Sequence, residues 1–190
     1  SAGMIYGKHD TVITEKTKLK PLNYYGFSKL LIEQHILFIS RMLGLSYVIV
    51  RPSNVYGKYG TINKMQGFIE LATERILKKE SIEIWGSGNQ TRDFIHINDL
   101  SKIICQIVSS KINNKIFNVA YGKSYGLLKI IEILEKALNV KSKLVFSKRK
   151  IDIEHINFDV SYLKSCFNYD PISIDDGIEV FVRKYKKKPK

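Results

Sequence analysis

Acidic side chains are scarce in this chain: 18 Asp and Glu stand against 31 Lys and Arg, a formal net charge of +13 over 190 residues. An excess of that size raises the question of a nucleic acid or another anionic surface as partner. Six of the basic residues, however, fall in the last eight positions (Arg183, Lys184, Lys186, Lys187, Lys188 and Lys190). A terminal run of this kind is ordinarily a solvated tail. Lysine outnumbers arginine about four to one, which suits a compositional habit better than bidentate phosphate reading. Nucleic acid is therefore not expected as a partner. Cysteine is nearly absent. Cys105 and Cys166 form no metal-ligand spacing, so no metal site is expected, and free thiols in a reducing, cytoplasmic setting are. No apolar run approaches the roughly 18 residues that a membrane helix needs, and there is no charged-then-apolar leader, so no membrane segment is expected. Internal repeats and low-complexity blocks are missing as well.

What is present is the composition of an ordinary soluble globule, with 44% hydrophobic and 26% charged residues. The length suits one domain, or one plus a small lobe. From Tyr25 to about Leu43 the pattern is helical, with Asn23 as N-cap and Gly44 as C-terminal stop. Its apolar residues cover more than one face, which predicts a helix buried on two sides, by its own domain and by a partner subunit. Residues 45–51 (LSYVIVR) form a continuous apolar run, the mark of a buried parallel strand, broken by Pro52. Helices are expected over 64–79, over 98–109 capped by Asn98, from Ser124 to about Leu138, in a short turn opened by Asp159 and Ser161, and from Asp175 onward. Strands are expected over 81–85, 93–97, 115–120 and 143–146. This alternation reads as α/β with a largely parallel sheet. One further absence is informative. A dinucleotide-binding fold opens with a strand, a glycine-rich turn and a helix whose N-terminus holds the pyrophosphate, yet no GxxGxxG or GxGxxG occurs in the sequence.

Tyr25 and Lys29 stand four residues apart and so share one face of a helix. A lysine ammonium beside a phenol favours the phenolate, which can act as general base. With 11 tyrosines the spacing is expected about once by chance, and it occurs twice, the second time at Tyr125 and Lys129. Context separates the two. Tyr25 lies in Asn23-Tyr24-Tyr25-Gly26-Phe27-Ser28-Lys29, after a Tyr6-Gly7 turn and before the buried strand that ends in Arg51. That arrangement resembles the extended short-chain dehydrogenase/reductase family, in its NAD-dependent epimerase/dehydratase branch. Three further segments agree, in order and spacing: Ser1-Ala2-Gly3-Met4-Ile5-Tyr6-Gly7, Arg51-Pro52-Ser53-Asn54-Val55-Tyr56-Gly57, and Thr91-Arg92-Asp93-Phe94-Ile95-His96-Ile97-Asn98-Asp99.

The resemblance covers essentially the whole chain and implies a fold: the second half of a Rossmann-type parallel sheet plus a small α/β substrate-binding lobe, without the N-terminal dinucleotide-binding half. Residues 1–57 would complete the Rossmann domain and carry the catalytic helix. Residues 58–97 would be a substrate-binding segment, 98–120 a Rossmann helix and strand, 121–182 the substrate lobe, and 183–190 a basic tail. It also implies roles. Tyr25 and Lys29 would be catalytic and would touch the NAD ribose, and Ser1, at what looks like a strand end, would bond the reacting oxygen. Asn54, Trp85, Arg92, Arg149 and Asp152 would hold the nucleotide-sugar, with Trp85 beside the base and both arginines on the diphosphate, a task suited to guanidinium. Ile151 replaces a glycine of the family pattern there. His96 is expected to be structural, and Asp159 with Ser161 to be a cap.

Family members that eliminate water or carbon dioxide carry an acidic side chain where this chain has Ala2-Gly3-Met4. Epimerisation is the economical choice: inversion of C4 of a UDP-hexose through a 4-keto intermediate. A dehydratase or reductase of the same family, and a basic nucleic-acid-binding module, are the alternatives. The resemblance further implies NAD as cofactor, a homodimer through helix 26–43, a place in cell-surface polysaccharide biosynthesis, and a fragment that does not turn over alone.

Overall fold

The computed structural model describes residues 2–58, 67–148 and 154–186. In chain order these form α1 (Ala2–Tyr6), α2 (Tyr24–Leu43), β1 (Val48–Pro52), β2 (Asn54–Tyr56), α3 (Phe68–Lys78), β3 (Ser81–Trp85), β4 (Thr91–His96), α4 (Ile97–Ser109), β5 (Lys115–Val119), β6 (Ser124–Gly126), α5 (Leu127–Leu138), β7 (Lys143–Ser147), α6 (Ser161–Cys166) and α7 (Ile174–Lys186). The strands join as β1-β5, β2-β4-β6 and β3-β7, and every pairing except β4 with β6 is parallel. Parallel neighbours separated by helices are the α/β arrangement that the sequence predicts.

Three apolar clusters hold these pieces. Ile95, Ile103, Phe117 and Val119 pack α4 against the β1-β5 pair. Ile69, Ile76, Ile82, Ile84, Leu134 and Phe181 bring α3, α5 and α7 around the β3-β7 pair, forming the lobe. Ile5, Tyr6, Ile13 and Phe158 tie α1 to the loop that follows it and to the segment before α6.

Helix α2 begins and ends as its local chemistry dictates. The Asn23 side chain accepts a hydrogen bond from the Gly26 amide at 2.8 Å, and Gly44 closes the helix in the left-handed conformation at φ 67°. Gly26 lets the helix approach α1 closely, since a Cβ there would lie 2.1 Å from the Met4 carbonyl oxygen.

Several expectations are corrected. Residues 2–6 are a helical turn and not a strand end. Within this chain Gly26 and Glu33 are the buried residues of α2, Leu30, Ile36, Leu37 and Ile39 are half-buried, and Leu31, Ile32, Phe38, Met42 and Leu43 are exposed, so its own domain covers the helix less than expected. His96 and not Asn98 caps α4, its Nδ1 accepting from the Asn98 amide at 3.2 Å. Ser124 lies in β6 and bonds the Ile156 carbonyl, so α5 starts after Gly126 with no side-chain cap. Helix α7 runs through Lys186, so the basic segment starts within a helix. Among the described residues no helix is long and apolar enough to cross a membrane, and no group of three or more His, Cys, Asp and Glu could hold a metal ion.

Candidate active site

The N-cap at Asn23 and the close seat of Gly26 fix the first turn of α2, and with it Tyr25 and Lys29. Lys29 Nζ lies 5.3 Å from the centre of the Tyr25 ring, within the range of a cation over a ring face. The rival pair is divided between elements, Tyr125 in β6 and Lys129 in α5, where Lys129 bonds Glu132 instead at 2.9 Å.

Tyr25 stands at the junction of two cavities. One, of about 480 Å³, is lined by Tyr25, Ser53, Asn54, Glu70 and Arg92, with Lys58 at its side. The other, of about 420 Å³, runs along β1 and is lined by Tyr25, Lys29, Ile32, Glu33 and Arg51. Asn54 enters the first from β2, its Nδ2 donating to the Asp93 carbonyl at 2.9 Å. Arg92 enters from β4, its Nη1 donating to the Thr91 carbonyl at 2.9 Å. Residues from three separate segments of sequence therefore converge on one hollow.

Trp85 does not join them. It stands 55% exposed at the end of β3, its carbonyl accepting from Gln90, and it does not line the cavity that Asn54 and Arg92 share. Ser1, Arg149 and Asp152 lie outside the described residues.

The buried carboxyls of the site shape its electrostatics. Asp93 is fully buried, and its two oxygens accept from the amides of Tyr121 and Gly122, both at 2.8 Å. Burial raises its pKa, against the opposing pull of those amides. Asp93 thus fastens β4 to the turn after β5 and keeps Arg92 in place beside it. Glu70, in the first turn of α3, accepts from the amides of Gly57 at 3.0 Å and Lys58 at 3.3 Å, and burial raises its pKa as well. Burial lowers the pKa of His96, with Asp99 opposing, which suits a neutral ring that caps α4 and meets Tyr56 edge-on. The structural role expected of His96 agrees with that geometry.

Sequence reasoning missed Glu70 and Glu33. Each left a signal: Glu70 follows Gly67 by three residues, the spacing of a carboxyl that reaches back over a helix start. Glu33 is a lone acid within an apolar helix, four residues past Lys29.

With this geometry in view, the comparisons with known proteins are informative. The NAD dependent epimerase/dehydratase family matches residues 1–120. The chain belongs to that family. A putative UDP-glucose 4-epimerase of Methanocaldococcus jannaschii is 29% identical, over 94% of this chain and 59% of its own length. A dTDP-4-dehydro-6-deoxyglucose reductase of Escherichia coli is 32% identical, over 99% of this chain and 60% of its own. Among solved structures, UDP-glucose 4-epimerase from Thermotoga maritima with UDP-glucose superposes with a TM-score of 0.91 at 25% identity, covering 98% of this chain and 62% of that one. The chain thus spans about three fifths of the length of these relatives. The fold is that of the Rossmann-type epimerases, and the family is NAD-dependent.

Proposed function

We propose that this chain is the catalytic and substrate-binding part of a nucleotide-sugar 4-epimerase, acting on a UDP-hexose or related sugar together with a dinucleotide-binding half. The observation that carries this reading is the convergence of Tyr25, Asn54 and Arg92 on one cavity, with Lys29 over the Tyr25 ring. The cavity of about 480 Å³ is of the size that holds a small-molecule ligand.

The residues present suit one end of NAD. Tyr25 lines both cavities and Lys29 lines the second, so a nicotinamide end arriving along β1 would meet them. Nothing in the sequence offers a glycine-rich turn for the pyrophosphate. NAD held there by Tyr25 and Lys29 would supply reversible hydride acceptance for C4 of the sugar. The chain's own residues do the rest. Tyr25 takes the proton of the sugar 4-hydroxyl and gives it back once C4 has inverted. Lys29 supplies positive charge beside that oxygen and bonds the ribose. Arg92 grips the diphosphate with charge-assisted hydrogen bonds, and Asn54 bonds the nucleotide-sugar near the reacting ring. Anchoring at the phosphates leaves the 4-keto sugar free to turn and present its other face. Ser1 would bond the keto oxygen, Arg149 would supply the second phosphate contact, and Asp152 would bond the nucleotide ribose.

Calorimetric titration of the chain with UDP, a UDP-hexose and NAD+ tests the reading. UDP should bind, Arg92→Ala should weaken it by about tenfold or more, the loss of one charge-assisted contact, and NAD+ should not bind tightly. Tight NAD+ binding without UDP binding would overturn it. The 32% identity to a reductase favours a second reading on the same site. With the dinucleotide-binding half supplied, NADPH consumption without epimer formation would decide for the reductase.

A further inference from the structure

Helix α2 carries Tyr25 and Lys29, yet it buries few side chains fully. Its large apolar side chains, Leu31, Ile32, Phe38 and Met42 among them, stand about half exposed or more, and Gly26 and Glu33 are its buried residues. The cap at Asn23, the seat of Gly26 on α1 and the half-buried Leu30 hold its first turns. A buried ion pair holds the next turn. Glu33 is bound by Arg51 through Nε at 3.0 Å and Nη2 at 2.6 Å, with the two side chains 9% and 5% exposed. The other guanidinium nitrogen donates to the Tyr6 hydroxyl at 2.6 Å, and that hydroxyl donates to Asn118 Oδ1 at 2.8 Å. The Asn118 amide in turn donates to Glu15 at 2.8 Å. One buried cation thus joins α1, α2, β1 and β5.

Residues 25, 29 and 33 follow one another at four-residue steps, each turned about 40° from the last. A fixed Glu33 therefore fixes the direction in which Tyr25 and Lys29 face. Arg51 is three residues before Asn54, with only Ser53 between the two strands. We infer that the Glu33–Arg51 pair is a positioning device: it sets the rotation of α2 and registers the Tyr25/Lys29 pair against Asn54. As a statement about catalysis this rests on the epimerase reading above; as a statement about Tyr25 it does not. The forked geometry explains why the partner is an arginine. Lysine offers charge without two parallel donors to one carboxylate.

The test uses the whole chain with 13C-labelled tyrosine rings, the Tyr25 resonance being assigned from Tyr25→Phe. Glu33→Leu with Arg51→Met replaces the buried ions by apolar groups of similar length, a change that need not cost stability. We expect this double variant to keep its fold and the resonance of buried Tyr169. The Tyr25 resonance should move, and the amides of α2 should exchange about tenfold faster. A pair that merely stabilises would change the unfolding midpoint and leave Tyr25 where it is, and that result overturns the proposal. Should the double variant not fold, Glu33→Asp keeps the charge on a shorter arm and must shift Tyr25 in the folded chain; an unmoved resonance again overturns it. UDP added to the wild-type sample shifts the Asn54 side-chain amide if the nucleotide-sugar reading holds. Failure of that arm alone leaves the positioning result standing.

Discussion

Glu70 shows how much a single buried carboxyl can hold together. Its Oε1 accepts the amides that follow β2, and its Oε2 lies against Gly67, where a Cβ would come within 2.4 Å. The carboxyl therefore joins the chain leaving β2 to the start of α3, at the wall of the cavity that Tyr25, Asn54 and Arg92 line. Burial disfavours its charged form and raises its pKa above the usual value of 4.5. Between that ordinary value and the raised one, the folded chain binds more proton than the unfolded chain, so stability falls as pH rises through this window. Each unit by which the folded value is raised is worth about 1.4 kcal/mol. Asp93, also raised by burial, contributes in the same direction. Glu70→Gln keeps an oxygen for the two amides and removes the titration. Urea midpoints measured from about pH 4 to pH 8 should fall more steeply for the wild type than for Glu70→Gln. Parallel curves would show that Glu70 ionises in the folded chain as it does in the unfolded one.

Among the elements, α2 depends on its first turn more than on its length. The Asn23 cap satisfies one of the orphan amides of that turn, and Asn23→Ala should cost about 1 kcal/mol in thermal or urea unfolding. Gly26→Ala would drive a methyl into the Met4 carbonyl, a backbone atom that cannot move alone. We expect it to cost about 1–3 kcal/mol, and to move Tyr25 with the helix. If both variants unfold like the wild type, the first turn is held by something other than its cap and its close seat. This turn was legible in the sequence because capping is local: Asn23, Gly26 and Gly44 act on neighbours within four residues. The β1, β3, β5 and β7 strands were legible for the same reason, since each is an apolar run or alternation bounded by turn residues. β2 and β6 were not. Each is three residues long and exists because β4 lies beside it, with Asn54 opposite Phe94 and Gly126 opposite Thr91. Ser124 looks like a cap until that pairing is known, and Asn98 until the His96 ring is seen beside its amide. The site divides in the same way. Tyr25, Lys29, Asn54 and Arg92 carried motif signals, whereas Glu33 and Glu70 matter through partners 18 and 13 residues distant, Arg51 and Gly57.

The molecule as a whole has an open side. Among the described residues β1 pairs only with β5, and two cavities border it. Ile32 and Ile36 of α2 line one; Ile104 and Val108 of α4 line the other, of about 470 Å³. A parallel strand added at this edge would be covered on both faces by helices, as buried parallel sheets require. It would also bring a dinucleotide-binding half to the cavity where Tyr25 and Lys29 already stand. The exposed residues farther along α2, Phe38, Met42 and Leu43, lie beyond these two cavities and offer a separate apolar face for a second copy. The two surfaces make separable predictions. If that face seats a second copy, the wild-type chain should sediment as a dimer and Phe38→Lys with Met42→Lys as a monomer, with unaltered circular dichroism. A dinucleotide-binding half added as a separate polypeptide should protect the Val48 and Val50 amides from exchange and lower the binding of an apolar dye, and both effects should survive in that double variant. Protection lost together with dimerisation would mean that one surface serves both purposes, with the second copy covering the edge of β1.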